Sequence, residues 1–216
     1  MCRLLLVRTE NEFKISKHLS SFADISKNSK EFQGHGWGCS YLNNGKWNTY
    51  RNIQPIWEDN LEQFNTTNLL IGHARSAFKD EGIVIENNMP FEDDKYIFIF
   101  NGELHGVKLN VEGRIGAEKI FNFIRRMEQG SAANMLEALQ KSVEIIKNRS
   151  RYIKSMNIII VDKETNNIYL STMFNEDEDY FTMHYKENEN GIIICSDSYQ
   201  NEEGWTKIEN NTIKQF

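Results

Sequence analysis

The sequence predicts an α+β protein with two mainly antiparallel sheets and helices grouped on their outer faces. Three observations support this fold class: apolar strand segments recur through residues 2–100, two adjacent amphipathic helical segments follow, and strand segments then resume. This order lacks the strict strand–helix alternation of a doubly wound parallel sheet. The length of 216 residues suits one domain over 1–216, and no internal repeat or Pro-rich linker divides the chain.

The first half contains five segments with the length and composition of strands. They are residues 2–7, 37–42, 46–53, 68–75 and 96–100. Between the first two, Ile15, Leu19 and Phe22 form a weak helical stripe within residues 11–30. Asn43-Asn44-Gly45 lies between the second and third segments and predicts a hairpin turn.

The second half opens with two helical segments. Apolar residues at 117, 120, 121, 124 and 127 fit one helix face, and a second stripe runs from Met135 to Ile146. Ser131 is the predicted N-cap of the second helix. Strands are then predicted at residues 156–161, 168–172, 180–185 and 192–195, with a final pair at 206–209 and 212–214 that turns at Asn210-Asn211.

Composition and charge exclude several classes of protein. A net charge of −6, from 25 basic and 31 acidic residues, disfavours a nucleic-acid partner. No apolar run approaches the length of a membrane span or a signal peptide, so we expect no membrane association and a cytoplasmic location with reduced thiols. His35 and Cys39 form an isolated pair without further metal ligands, and no phosphate-binding loop occurs. We therefore expect no metal and no cofactor.

Four short segments contain residues suited to chemistry: MCRLLL at the start, GHARSAF at 72–78, NNMPF at 87–91 and FNGELHG at 100–106. Each alone has a structural interpretation, since an arginine at a strand end is usually a surface residue and Asn-Gly after a strand is usually a turn. The position of Cys2 stands out, because removal of Met1 would make it the first residue of the chain. Its α-amine, with a pKa of about 7.7–8.0, could then serve as the base for its own thiol.

Taken together and in this order, the four segments resemble the class II glutamine amidotransferases, which are N-terminal-nucleophile (Ntn) amidohydrolases. Gly36-Trp37-Gly38 matches a further segment of that family, so the likeness spans most of the chain. The resemblance implies the Ntn-hydrolase fold, a four-layer αββα sandwich. It also implies an amide substrate of small-molecule size, attacked by Cys2.

The resemblance further implies roles for individual residues. Asn101 and the backbone N–H of Gly102 would stabilise the oxyanion, with Cys2 as the third catalytic residue. Arg75 would bind the α-carboxylate of the substrate through its planar fork of N–H donors. His73 and Glu118 complete the predicted substrate-binding set.

One position departs from the family pattern. Gly116 stands where the family has the aspartate that binds the α-amino group of glutamine, although the acid that follows is kept as Glu118. Three interpretations follow. Glu118, Glu103 or Asp93 substitutes for the missing aspartate, or the substrate is an amide whose amino group is blocked or absent, or the chain is a catalytically inactive binding or regulatory module on the same fold.

The destination of ammonia is also open. The chain contains no recognisable synthase segment, so either a separate partner protein carries the synthase or the chain is a simple amidohydrolase. The retained Cys2, Arg75 and Asn101-Gly102 favour amide hydrolysis, namely glutaminase-type release of ammonia from glutamine or a γ-glutamyl amide.

Overall fold

The computed structural model describes all residues from Met1 to Phe216. They form two antiparallel sheets and four α-helices, which confirms the predicted fold class. The strands are β1 (Arg3–Lys14), β2 (Trp37–Asn43), β3 (Lys46–Asn52), β4 (Thr66–Ala74), β5 (Phe91–Glu92), β6 (Tyr96–His105), β7 (Tyr152–Asp162), β8 (Ile168–Ser171), β9 (His184–Asn188), β10 (Gly191–Cys195), β11 (Thr206–Lys207) and β12 (Ile213–Gln215). The helices are α1 (Ile15–Lys27), α2 (Gly116–Gly130), α3 (Met135–Arg149) and α4 (Glu178–Phe181). None of these helices is long and apolar enough to cross a membrane.

The chain divides into two compact units that interleave in sequence. The first comprises Met1–Pro90 and Thr182–Ile208, and the second comprises Phe91–Phe181 and Glu209–Phe216. Each unit contains one of the two sheets. The assignment of residues 1–216 to a single domain stays a prediction.

The sheet of the first unit has the strand order β11-β9-β10-β1-β4-β2-β3, with β1 near its centre. β1 and β4 are antiparallel, and their register places Arg3 opposite Ala74 and Leu4 opposite His73. Leu4 to Val7 are fully buried, as the apolar run predicts. Burial of each such side chain contributes about 1.5–3 kcal/mol, so this strand is a main source of the unit's stability.

Helix α1 covers one face of this sheet. Its stripe of Ile15, Leu19 and Phe22 joins Leu5 and Val7 in one hydrophobic cluster. Because side chains alternate along a strand, Leu4 and His73 lie on the opposite face of the sheet, away from α1. Cys2 is two residues before Leu4, and Arg75 is two residues after His73. Both residues therefore lie on this second face, just beyond the ends of β1 and β4.

The sheet of the second unit has the order β12-β8-β7-β6-β5. Helix α2 covers one face, where the Phe121 ring stacks on Phe98 of β6 with 5.1 Å between ring centroids. Asn101 has the opposite parity to Phe98 along β6. Its side chain therefore lies on the face away from α2.

Three boundaries differ from the sequence-based expectation. Asn134, not Ser131, is the N-cap of α3, because its side chain accepts the Glu137 N–H at 2.9 Å while Ser131 is the C-cap of α2. Residues 180–185 are not one strand, since α4 takes their first part and β9 begins at His184. The last two strands do not form a hairpin, because β11 pairs with β9 whereas β12 pairs with β8 in the other sheet.

Candidate active site

Cys2 lies immediately before β1, with its Sγ 3.7 Å from the carbonyl oxygen of Ser76. It is the only one of the three cysteines with exposed surface, because Cys39 and Cys195 are fully buried in the hydrophobic cluster under α1. Burial also raises the pKa of the Cys195 thiol to about 12. Cys2 is therefore the least buried of the three cysteines.

The electrostatic surroundings of Cys2 have opposing effects. Burial raises the pKa of its thiol, and the positive charges of the amino terminus and of Arg75 lower it in part. The net shift is upward, so the thiol is protonated at neutral pH. Nucleophilic attack by this sulfur consequently needs a base that removes the proton.

Arg75 follows β4 and is fixed through its backbone. Its N–H donates to the carbonyl of Gly36 at 2.9 Å, and its carbonyl accepts the His35 N–H at 3.1 Å. Extending the register of Arg3 and Ala74 by one residue sets Cys2 opposite Arg75. The first and second of the four motifs thus meet on one face of the sheet, together with the Gly36-Trp37-Gly38 segment.

The Arg75 side chain is buried, with 6% of its surface exposed, yet no carboxylate forms an ion pair with it. Its two hydrogen-bond partners are neutral: Nη1 donates to Oδ1 of Asn88 at 3.4 Å, and Nη2 donates to the carbonyl of Gly82 at 2.9 Å. Buried charges in proteins are normally paired with an opposite charge. A buried guanidinium held by neutral acceptors is suited to binding an anionic group of a ligand.

The loop after Arg75 is fixed by a histidine. Nδ1 of His35 accepts the Ala77 N–H at 2.9 Å. The loop then returns through Gly82, whose positive φ of 61° favours glycine. Its carbonyl accepts from both Arg75 and Asn87, so the loop encloses the guanidinium.

Sequence reasoning missed Gln33, which is fully buried beside the amino terminus. Its Nε2 donates to the Met1 carbonyl at 2.6 Å and to the Glu31 carbonyl at 2.8 Å. This amide therefore fixes the peptide that precedes Cys2. An isolated glutamine in a polar stretch gives no sequence signal for that contact.

His73 is fully buried on β4, opposite Leu4 on one side and Gly38 on the other. It lies on the same face of the sheet as Arg75, two residues away along the strand. Its predicted role in substrate binding stays a prediction.

Asn101, Gly102 and Glu118 belong to the second unit. Asn101 is almost fully buried on β6 and lies opposite Asn157 of β7. Gly102 has a structural role as well, since a Cβ there would lie 2.4 Å from the Phe100 ring and 2.5 Å from the Ser155 carbonyl. The oxyanion role of Asn101 and Gly102 stays a prediction.

The three acids that could replace the missing aspartate all have basic partners. Glu118 binds the Arg114 guanidinium at 2.6 Å, which together with the Arg114 backbone N–H lowers the pKa of Glu118. Glu103 lies 2.7 Å from His105, and Asp93 pairs with Arg125. Each would have to leave its partner, or share it, to bind a substrate ammonium group. The substrate contact of Glu118 stays a prediction.

Comparison with solved structures identifies the fold. A glutamine aminotransferase class-II domain protein from Silicibacter pomeroyi superimposes with a TM-score of 0.62 at 11% identity, over 100% of this chain and 94% of that protein. Glutamine phosphoribosylpyrophosphate amidotransferase from B. subtilis, solved with ADP and GMP, gives a TM-score of 0.66 at 12% identity. The match covers all of this chain and 49% of that enzyme. No protein-family model and no curated protein matches the sequence.

The chain therefore has the Ntn-hydrolase fold of class II glutamine amidotransferases, as the motifs predict. The likeness to these two structures shows the fold, and the chain's own residues carry the argument on activity.

Proposed function

We propose that the chain hydrolyses the side-chain amide of glutamine or of a γ-glutamyl compound with Cys2 as nucleophile. The observation that supports this most strongly is the Cys2–Arg75 pair. A partly buried thiol lies beside a buried guanidinium that has no acidic partner, which suits a substrate with an amide at one end and a carboxylate at the other. A bidentate arginine–carboxylate contact would fix the distance between the two ends.

Removal of Met1 supplies the base in this mechanism. The freed α-amine of Cys2 takes the thiol proton, which is needed because burial raises the pKa of that thiol. Sγ then attacks the amide carbon, and the Asn101 amide and Gly102 N–H stabilise the negative oxygen. The C–N bond breaks, the α-amine returns the proton to the leaving ammonia, and water hydrolyses the thioester to the acid and the free thiol.

The fate of ammonia follows from the same proposal. With water as the acceptor of the acyl group, the chain works as a simple glutaminase. With a separate synthase bound, the released ammonia would be used by that partner. The protein would act in the cytoplasm in either case.

The test is an ammonia-release assay of chain lacking Met1 against L-glutamine, L-asparagine and γ-glutamyl amides. We expect Cys2→Ala to abolish ammonia release while the circular dichroism spectrum stays that of the parent. Cys195→Ala is the matched control: it removes a fully buried thiol, so it should lower stability but leave ammonia release by the folded protein. Equal ammonia release by Cys2→Ala and the parent would refute the proposed nucleophile.

The alternative is a binding or regulatory module on the same fold. The observation that favours it is Gly116, which leaves no acid at the family's amino-group position. Such a module would bind L-glutamate or L-glutamine with a measurable Kd but release no ammonia from any amide.

A further inference from the structure

Of the two hydrogen-bond partners of the Arg75 guanidinium, Asn88 is the one that uses its side chain, and this amide is fully buried. Its orientation is fixed by its other bond, in which Nδ2 donates to the Asn52 carbonyl at 2.8 Å. A carbonyl cannot donate, so the nitrogen must face Asn52 and Oδ1 must face Arg75.

The surroundings of Asn88 restrict the amide further. Gly36 packs against it with a φ of +104°, and a Cβ at Gly36 would lie 2.1 Å from Nδ2 of Asn88. On the other side, the Asn52 side chain donates to the Asp59 carboxylate at 2.7 Å, which holds the segment that presents the Asn52 carbonyl. The acceptor that meets Arg75 is thus fixed by backbone and side chains on both sides.

The chemical nature of this acceptor matters for the charge. An amide oxygen holds one N–H of the guanidinium without cancelling its positive charge, and the Gly82 carbonyl does the same on the other arm. A carboxylate at position 88 would instead form an internal ion pair and compete with any carboxylate of a ligand.

We infer that Asn88 is a positioning residue that orients the Arg75 guanidinium through a neutral amide and so keeps its charge available for the substrate carboxylate. This inference rests on the proposed function. Through Asn88, the NNMPF segment at 87–91 would help to select substrates that carry a carboxylate.

The test measures binding of L-glutamate by isothermal titration calorimetry to the full chain and four variants. We expect Asn88→Ala to weaken binding about 10-fold, and Asn88→Asp about 100-fold, because the second adds a competing charge. Arg75→Ala should abolish measurable binding. Asn43→Asp is the matched control, since the Asn43 amide also donates to a backbone carbonyl, that of Thr66, at the other end of β2. It should bind L-glutamate like the parent.

The outcomes separate the inference from the proposed function. If Arg75→Ala binds L-glutamate like the parent, the carboxylate anchor of the proposed function is wrong. If Arg75→Ala loses binding but Asn88→Asp keeps the parental Kd, or weakens it no more than Asn88→Ala, the role of the neutral amide is wrong.

A steady-state measurement adds a second readout that a loss of folded protein alone would not give. In the Asn88→Ala chain lacking Met1, we expect the KM for L-glutamine to rise about 10-fold with kcat close to the parental value. An unchanged KM in Asn88→Ala overturns the inference. This result is decisive even if the Asn88→Asp variant does not fold.

Discussion

The Arg75 guanidinium is bound by the neutral amide of Asn88, with 3.4 Å between Nη1 and Oδ1. This contact leaves a buried positive charge without an acidic partner, beside the partly buried Cys2. The arrangement explains why the strand end and the NNMPF segment occur in one protein. Under the proposed function, Arg75 would bind the carboxylate end of the substrate while Cys2 attacks its amide end.

Replacement of Arg75 by lysine tests the geometry of the proposed carboxylate contact. Lysine keeps the charge but loses the two parallel N–H donors, so we expect L-glutamate to bind about 10- to 100-fold more weakly. Calorimetric titration measures the change. Retention of the parental Kd would show that a point charge is sufficient and that the fork is not used.

The pH dependence of Cys2 alkylation tests the electrostatic link to Arg75. Burial raises the pKa of the Cys2 thiol, while the positive charge of Arg75 lowers it. Arg75→Ala removes a lowering contribution, so the alkylation midpoint should move to higher pH. Iodoacetamide labelling over a pH series, followed by mass spectrometry of the Cys2 peptide, gives the midpoint.

The control for that series is Arg8→Ala, which removes an arginine from β1, in register with Leu69 near the opposite end of β4. Its midpoint should equal that of the parent. A shift of the same size in both variants would attribute the effect to net charge, which contradicts a specific contribution from Arg75.

Gly116→Asp tests whether an aspartate at this position would bind the α-amino group of the substrate. Gly116 is the first residue of α2, and no atom lies within 4 Å of a Cβ placed there, so the side chain fits. An acid at this helix end stabilises the fold by about 0.3–1 kcal/mol. If free glutamine is a substrate, the KM for L-glutamine should fall about tenfold, with no change for N-acetyl-L-glutamine.

Gly130→Asp provides the matched control for this gain. Gly130 ends the same helix and also has open space around a Cβ, but an acid there opposes the helix dipole. It should lower stability slightly and leave KM unchanged. An unaltered KM in Gly116→Asp would indicate that the substrate presents no free ammonium group to this position.

His18 provides a pH-dependent stability prediction in α1. The ring is buried, with Nδ1 3.1 Å from the Tyr199 hydroxyl, and burial lowers the pKa of His18 from 6.5 to about 4. As the pH falls, His18 is protonated in the unfolded chain before it is protonated in the folded chain. The stabilising contribution of the neutral, buried ring is therefore complete above pH 6.5 and is lost as the pH falls towards 4. The loss should reach about 3 kcal/mol.

Urea unfolding of the parent and of His18→Gln over this pH range measures the contribution. The difference in free energy of unfolding between the two proteins should shrink as the pH falls. Parallel curves of unfolding free energy against pH would show that the pKa of His18 is not lowered by folding.

The sequence predicts the strands and helices that position the site because their apolar patterns are strong. The run Leu4–Val7 and the α1 stripe, which supply buried side chains to the first unit's core, are examples. Boundaries set by single side chains are less visible. Ser131 and Asn134 are both good N-caps, and only the bond to Glu137 N–H distinguishes them.

The limits of sequence reasoning at the site are of the same kind. The partners of Arg75 come from residues 82 and 88, and their contacts depend on how the loop returns, which no periodic pattern encodes. Likewise, β11 and β12 look like one hairpin because Asn210-Asn211 is a turn signal. Pairing with distant strands in two different sheets overrides that local signal.

The central claim is that Cys2, with a freed α-amine, is the nucleophile. The most direct measurement is intact-mass and peptide mass spectrometry of the protein after treatment with a diazoketone analogue of L-glutamine. We predict a chain that begins at Cys2 and carries one covalent adduct on that residue, with no adduct in Arg75→Ala under the same conditions. A chain that retains Met1 and remains unmodified, or one labelled at a different residue, would contradict the account.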